Sequence, residues 1–375
     1  MVYNKGSYNE NWKIFKLSEL GTFARGVSKH RPRNDSKLFQ NGKYPLVQTG
    51  DVKEANLYLS KHEQEYGDFG LKQSKLWNTG TLCITIAANI AETAILAYPM
   101  CFPDSIVGFS AYPEKSSEEF MYYIFEYIKK SIKNAVTGSI QDNINLEYLM
   151  SLEFKIPEKK YQDMIVLTLS SIDKKILINN AINDNLEQQM HLIFENMMSK
   201  ATTHKLPGKY TIAQNLTSVV TGKEDANFSV TNGKYKFFTC SNTPLLCDDY
   251  VFDSSSILIA GNGDFNVKHY SGRFNAYQRT YVLTPDKKYF ALLYLASLYR
   301  INSFKSRSSG SIVKFITKSD VENIPVFIPN DISYLQELNK LIYLQEQNKL
   351  ENELLIKLRD WLLPMLMNGQ ATISD

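Results

Sequence analysis

The chain has 375 residues and a formal net charge of +3, which suits two or three domains and gives no overall basic field. Hydrophobic residues make up 43% and aromatic residues 12% of the sequence, enough for packed cores, so general disorder is excluded. The longest apolar stretch is interrupted by Asn89 and Glu92, which excludes a membrane span there. No CxxC or disulfide-like spacing is present, so the cysteines are expected to be reduced thiols in a soluble, cytoplasmic protein.

Residues 1–157 are predicted to form an α+β domain. Segments such as "YPLVQTGDV" and "GTLCITIAA" are short, rich in β-branched residues and bounded by Gly, Asn or Asp, which is typical of strands. The segment "SSEEFMYYIFEYIKKSI" has helical periodicity and begins with a Ser-x-x-Glu capping signal. This domain carries 18 Lys and Arg against 17 Asp and Glu, a net charge of +1.

A basic loop, "RGVSKHRPRNDSK", follows the start of this domain. Pro32 prevents a helix through its middle, so the loop is expected to be rigid, exposed and positive. Such a loop suits phosphate contacts, and its arginines and lysines suit guanine edges in a major groove. The alternative is an ordinary solvated loop. The candidate DNA-binding residues here are Lys29, His30, Arg31, Arg33 and Lys37.

Residues 158–204 are predicted to form the first of two long helices. The stretch is almost free of Gly and Pro, and its apolar residues recur at alternating spacings of four and three, which is typical of a coiled-coil seam. The seam residues are Ile165, Leu169, Ile172, Ile176, Leu186, Met190, Ile193 and Met197.

Residues 205–329 are predicted to form a second α+β domain, with strands such as "KYKFFTC" and "SSILIAG". Residues 206–329 carry 14 Lys and Arg against 9 Asp and Glu, a net charge of +5, which is compatible with a polyanionic partner. Arginine and glutamine can form paired hydrogen bonds with guanine and adenine, although some of these side chains could simply form the outward face of strands. The candidate DNA-binding residues are Lys268, His269, Arg273, Gln278, Arg279, Lys305 and Arg307.

Residues 330–375 are predicted to form the second long helix and a C-terminal tail. At an offset of 169 this helix repeats the seam of the first, and asparagines fill the same gap in both seams. A buried asparagine fixes register, because a slipped pairing would leave its amide unpaired; alternatively, these residues lie at the wet edge of the seam. The candidate register residues are Asn179, Asn183, Asn348 and Asn352.

The two halves of the chain share a repeated phrase. "TGSIQDNI" at 137–144 returns as "SGSIVKFI" at 309–316, an offset of 172, and the same offset aligns Leu152 with Ile324 and Phe109 with Tyr281. At this offset the apolar residues and the Gly-Ser turn residues are retained in both copies, while the polar residues change. The sequence therefore predicts a tandem duplication of an α+β domain followed by a long helix, with the two helices pairing as an antiparallel coiled coil.

Catalytic signatures are missing from the sequence. It contains no GxxxxGK[ST] phosphate loop, no GxSxG nucleophile elbow and no methyltransferase signature such as NPPY or DPPY. Its five histidines have no metal-ligand spacing. Catalytic residues and a metal site are therefore not expected in this chain.

The order of these segments resembles the specificity subunits of type I restriction-modification systems. The resemblance covers nearly the whole chain and lies in the paired openings "WKIFKLSELGTFARG" and "YTIAQNLTSVVTG", in the duplicated "TGSIQDNINLEYLMSLEFKIP" and "SGSIVKFITKSDVENIPVFIP", and in the ending "LRDWLLPMLMNGQ". It implies a non-catalytic reader of double-stranded DNA, in which each domain binds one half of a split target and the helices set the spacing.

The same resemblance implies partners. The helices would dock adenine methyltransferase (modification) subunits, which use S-adenosylmethionine, and a restriction subunit would add translocation and cleavage that depend on ATP and Mg²⁺. This chain itself would hold no cofactor. Two other classes stay open: a self-contained nuclease or restriction-methylation enzyme, and a coiled-coil adaptor with two protein-binding domains. A binding affinity that falls steeply as salt rises would distinguish a DNA reader from the adaptor, whose apolar protein contacts would change little.

Overall fold

The computed structural model describes residues 2–3, 7–87, 89–137, 146–263, 265–307 and 315–373. The chain forms two compact units, unit 1 (Met1–Leu177 with Glu353–Asp375) and unit 2 (Ile178–Asn352). Each unit combines one globular domain with part of each long helix. The repeated phrases at 137–144 and 309–316 fall almost entirely outside the described residues.

The strands and helices are numbered along the chain. The strands of unit 1 are β1 (Val2–Tyr3), β2 (Lys13–Lys16), β3 (Gly21–Arg25), β4 (Tyr44–Leu46), β5 (Tyr58–Leu59), β6 (Gln64–Tyr66), β7 (Leu76–Trp77), β8 (Leu82–Thr85), β9 (Thr93–Leu96), β10 (Met100–Cys101), β11 (Ile106–Ala111) and β12 (Glu153–Ile156). Those of unit 2 are β13 (Gly208–Ile212), β14 (Val219–Thr221), β15 (Tyr235–Phe238), β16 (Leu245–Cys247), β17 (Phe252–Ala260), β18 (Val267–Ala276), β19 (Thr280–Leu283) and β20 (Pro325–Pro329). The helices are α1 (Leu17–Leu20), α2 (Thr49–Glu54), α3 (Asp68–Lys72), α4 (Glu118–Thr137), α5 (Leu146–Ser151), α6 (Lys159–Thr202), α7 (Phe290–Arg307), α8 (Lys318–Glu322) and α9 (Ser333–Met367).

The domain of unit 1 is built on a sheet of order β3-β11-β8-β9-β5 and a second sheet of order β6-β4-β10-β7. The β8 and β9 strands are buried along their whole length, as expected for short, apolar, β-branched segments covered on both faces. Helix α4 contacts β9 and supplies much of a core in which Phe109, Phe120 and Phe125 are fully buried.

The domain of unit 2 has one six-stranded sheet of order β14-β19-β17-β18-β15-β16. Helix α7 lies against β18 and contributes Leu292, Leu293 and Leu295 to the core. Strands β13 and β20 form a separate antiparallel pair in this domain, which corresponds to the antiparallel pair of β2 and β12 in unit 1.

Most strands of the two domains have the same arrangement, which confirms the predicted duplication. The unit 2 order β14-β19-β17-β18 matches β3-β11-β8-β9 in unit 1, and β18-β15-β16 matches β10-β4-β6, with parallel and antiparallel pairs in corresponding places. The ten-residue strand β18 thus occupies the places that β9 and β10 fill separately in unit 1. The edge strands β5 and β7 of unit 1 have no counterpart among the described strands of unit 2.

The spacing of the repeat is not uniform. The equivalent bonds Leu17 N–Leu152 O and Ala213 N–Ile324 O keep the predicted offset of 172 between Leu152 and Ile324. The strand partners of Arg25 and Thr221, however, are Val107 and Tyr281, an offset of 174. The predicted alignment of Phe109 with Tyr281 is therefore wrong, because the second copy is two residues shorter between these points.

The long helices pack antiparallel within each unit. In unit 2, Asn179 pairs with Asn352 and Asn183 with Asn348, so the partner on α9 moves back as α6 advances. In unit 1, Tyr161 contacts Ala371 and Asp173 pairs with Arg359, in the same opposed order. The predicted seam residues Ile165, Leu169, Met190 and Met197 are fully buried. No helix in the described part of the chain is long and apolar enough to cross a membrane.

Candidate nucleic-acid interface

The basic loop of the first domain is held against the end of its sheet. It leaves β3 at Gly26, whose N–H donates to Ile106 O at 2.8 Å, and Val27 N donates to Phe102 O at 3.1 Å. Farther along, Lys29 N donates to Gln73 O at 3.0 Å. These backbone bonds fix the direction of the loop before its arginines begin. Most of the loop is exposed, as predicted, and its rigidity stays a prediction.

The two arginines of this loop share one carboxylate. Arg33 donates from Nη2 to Asp104 Oδ1 at 2.6 Å, and Arg31 Nη2 lies 3.8 Å from Asp104 Oδ2. The side chain of Arg33 is nevertheless 49% exposed and that of Arg31 54%, so each keeps guanidinium donors available to a ligand. Asp104 lowers the local charge and orients the Arg33 guanidinium, whereas the Arg31 guanidinium is held by the backbone oxygens of Ser28 and His30, to which its Nη1 donates at 2.6 and 2.9 Å.

The His30 side chain already has a hydrogen-bond partner within the loop. Its Nε2 lies 2.8 Å from Asp35 Oδ2, and Asp35 also caps the following turn by accepting from Lys37 N at 3.0 Å. The hydrogen bond from the Lys37 backbone, followed by that from His30, lowers the pKa of Asp35. The side chains of Lys29 and Lys37 are exposed.

The second domain presents its candidate residues from several places. Arg273, on β18, donates from Nε to Asp253 Oδ2 at 3.1 Å, and its guanidinium carbon lies 5.0 Å from the ring centre of Tyr250. The hydrogen bond to Asp253 raises the pKa of Arg273. Both charged side chains are more than half exposed, so this pair adds little to stability and leaves part of the guanidinium accessible.

Gln278 and Arg279 form the turn between β18 and β19, and both are exposed. The turn is fixed by backbone bonds: Gln278 N donates to Glu224 O at 2.9 Å, and Arg279 O accepts from Gly261 N at 2.8 Å. Lys268 instead donates to the backbone oxygens of Thr239 and Ser241, so it holds a neighbouring loop in place.

The prediction that His269 contacts DNA is wrong. Its side chain is 3% exposed, with Nδ1 3.1 Å from Glu346 Oε1 and Nε2 3.0 Å from Gln345 Oε1, both on α9. Burial alone would raise the pKa of Glu346, but the hydrogen bonds from His269 and Ser271 hold that pKa below its ordinary value. His269 therefore attaches the second domain to its helix. The side chains of Lys305 and Arg307, at the end of α7, lie outside the described residues.

The four candidate asparagines meet in pairs between α6 and α9. Asn179 Nδ2 donates to Asn352 Oδ1 at 2.9 Å, and Asn348 Nδ2 donates to Asn183 Oδ1 at 2.9 Å. All except Asn348 are buried, which places the amides inside the seam and not at its edge. Their role in fixing register stays a prediction.

Two side-chain contacts are not predictable from the sequence alone. Asp104 contacts Arg33 of the basic loop although the two residues are 71 positions apart. Asp173 is buried between Tyr123 and Arg359. The sequence signal for this second contact is a carboxylate and an arginine at positions that come together when the two seams run antiparallel. Among the described residues, His, Cys, Asp and Glu side chains form no group able to hold a metal ion.

Comparison with known proteins agrees with the duplicated fold. The EcoDI specificity subunit of a type I restriction enzyme from Escherichia coli is 35% identical over 164 residues, covering 42% of this chain and 37% of that protein. The MjaVIII specificity subunit of a type I restriction enzyme from Methanocaldococcus jannaschii is 25% identical over 198 residues, covering 49% of this chain and 44% of that protein. The matches thus span less than half the length of these relatives.

A solved structure covers the whole arrangement. The S subunit of the type I restriction-modification system from M. genitalium has a TM-score of 0.62 and 17% sequence identity, covering 98% of this chain and 99% of that chain; this likeness concerns the fold alone. Residues 9–188 and 210–359 both match the family described as type I restriction modification DNA specificity domain. Because these two segments include most of the 375 residues, the chain belongs to that family and carries two copies of its domain.

Proposed function

We propose that this chain is the DNA-recognition subunit of a type I restriction-modification complex. Residues 1–157 and 205–329 would each read one half of a split DNA sequence. The observation that carries the proposal is that one topology occurs twice and presents different side chains at the same end of its sheet: Arg31 and Arg33 in the first domain, Gln278 and Arg279 in the second. Two readers with one scaffold and different surfaces suit a target with two unlike halves.

The catalytic steps belong to partners under this proposal. The chain would not be an enzyme and would bind no cofactor of its own. Adenine methyltransferase subunits would supply S-adenosylmethionine-dependent methylation, and a restriction subunit would use ATP and Mg²⁺, all in the cytoplasm. The near-neutral first domain fits this division of labour, because a partner that also contacts phosphate would supply the remaining positive charge.

The long helices offer surfaces for those partners. In unit 1, α9 exposes three large apolar side chains at spacings of four and three, Leu354, Leu358 and Trp361, which share one helix face. In unit 2, α6 exposes Ile178 and Ile182, also one turn apart. We refer to the unit 1 set as the α9 face. Exposed apolar rows on already paired helices are suited to a further helix, so we assign them to methyltransferase docking.

The helices would also set the spacing between the two half-sites. Each helical residue adds about 1.5 Å along the axis, and α6 and α9 contain 44 and 35 residues. The paired asparagines Asn179–Asn352 and Asn183–Asn348 support a single register of these helices. A single register would give one preferred gap in the target sequence.

Purification of the tagged chain from its native cells, at low salt, tests the partners directly. We expect an adenine methyltransferase to co-purify, and we expect the complex to bind DNA with an affinity that falls steeply as salt rises, because phosphate contacts release counterions. Recovery of unrelated proteins only, with DNA binding absent at every salt concentration, would favour the protein-binding adaptor instead.

A further inference from the structure

One glycine in each domain allows the loop that follows it to lie directly on the sheet. An added Cβ at Gly26 would lie 2.3 Å from Pro103 O and 2.4 Å from Phe102 O. An added Cβ at Gly222 would lie 1.9 Å from Ala276 O and 2.6 Å from Tyr277 O. Real Cβ atoms do not come this close to backbone oxygen, so both positions exclude every residue except glycine unless the chain moves.

The two glycines occupy equivalent positions. Gly26 N donates to Ile106 O at 2.8 Å, and Gly222 N donates to Thr280 O at 3.2 Å. Each directly follows a strand residue, Arg25 or Thr221, that pairs with the equivalent neighbouring strand, β11 or β19. The same close approach is therefore present in both copies, while most of the residues after it differ; the shared feature is a capping aspartate, Asp35 or Asp225.

Space is the constraint at both positions. Within the described ranges, the glycines with positive φ are Gly80, Gly263, Gly272 and Gly369, so neither Gly26 nor Gly222 needs a conformation that other residues avoid. An alanine would instead have to push the two backbone segments apart by roughly 1 Å or more, to reach ordinary van der Waals separation. Because these segments are backbone, no flexible side chain can absorb the displacement.

The segments that an alanine would displace carry the candidate base-reading side chains. Loop 1, residues 27–37, touches the 102–104 segment again where Arg33 reaches Asp104 at 2.6 Å. Loop 2, residues 223–229, touches the 276–278 segment again where Glu224 O accepts from Gln278 N at 2.9 Å. Each loop is thus joined to the equivalent segment twice, first at the glycine and then at Asp104 or its counterpart Gln278.

We propose that Gly26 and Gly222 are equivalent positioning residues, each of which sets the base preference of its own half-site by holding its loop against the sheet end. The inference rests on the proposed function. It adds that specificity at one half-site depends on a backbone contact that carries no base-reading atom itself. The two halves should respond independently, because each contact lies inside one unit.

The test compares Gly26→Ala and Gly222→Ala in the full chain, co-expressed with its methyltransferase partner, by sequencing methylated adenines. We expect each variant to change, by about tenfold or more, the ratio of methylation at the preferred half-site to methylation at single-base variants of it, in one half only. Loss of folded protein would lower methylation at all sites equally and leave that ratio unchanged. Gly50→Ala is the matched control, because nothing lies within 4 Å of its added Cβ.

A second variant covers the case in which Gly26→Ala yields no folded protein. Asp104→Ala removes the other attachment of loop 1 at a half-exposed side chain, and we expect it to relax the same half-site. Unchanged ratios in Gly222→Ala and in Asp104→Ala, with the total level of methylation retained, would overturn the inference. If the unsubstituted chain directs no methylation to any split sequence, the proposed function fails, and that outcome is distinct because it precedes any substitution.

Discussion

Asp173→Ala is expected to lower the free energy of unfolding of unit 1 by about 3 kcal/mol. The Asp173 side chain is 8% exposed and accepts from Tyr123 Oη at 2.6 Å and from Arg359 Nη1 at 2.9 Å. Its removal leaves a buried hydroxyl and a half-buried guanidinium without their partner. Burial raises the pKa of Tyr123, and the charge of Asp173 raises it further, so the tyrosine stays protonated and in need of an acceptor.

Differential scanning calorimetry of the full chain measures this effect, with the transition of unit 1 followed separately because two units need not unfold together. Asp360→Ala is the control. Asp360 also pairs with Arg359, at 2.9 Å, but its side chain is 60% exposed, so we expect a loss below about 1 kcal/mol. Equal losses in the two variants would show that the buried position of Asp173 has no special weight.

Replacing Leu354 and Leu358 together by glutamate is expected to abolish co-purification of the proposed methyltransferase partner. Both side chains are exposed on the α9 face, and burying each against a partner would contribute about 1.5–3 kcal/mol. Since about 1.4 kcal/mol changes affinity tenfold, losing both contacts and burying two charges should weaken binding more than a hundredfold. Quantitative pull-down at several partner concentrations measures the change.

Ile332→Glu is the matched control for this experiment. Ile332 is also an exposed large aliphatic residue, but it lies just before α9 begins and outside the α9 face. We expect the control to retain normal recovery of the methyltransferase and both variants to keep the thermal stability of the unsubstituted chain. Normal recovery with both leucines replaced would mean that the partner docks elsewhere.

The features predictable from the sequence are those encoded by local periodicity and by repetition. The four-and-three spacing of Ile165, Leu169 and Ile172 indicated the seam, and the four asparagines meet in pairs in its gap. The duplication followed from apolar positions retained at a fixed offset. Both patterns are visible in the sequence because burial constrains these side chains more strongly than any surface role does.

What the sequence did not reveal depends on contacts between distant residues. His269 looked like a base reader among basic and aromatic neighbours, yet Gln345 and Glu346 enclose it from a helix more than seventy residues later. The Arg33–Asp104 pair has the same character. Insertions and deletions between the two copies are equally hard to see in the sequence. A fixed offset of 172 does not account for the two-residue shortening of the second copy, which becomes visible only because Tyr281 is the strand partner of Thr221.

Single-molecule sequencing of methylated adenines, in DNA from cells that express this chain with its methyltransferase partner and no other such system, tests the central claim most directly. Two domains that each read part of the target predict methylation confined to one split sequence, with two specific half-sites separated by a gap of fixed length and free composition. Methylation at a single uninterrupted sequence, or at sites unaffected by removing this chain, would contradict the account.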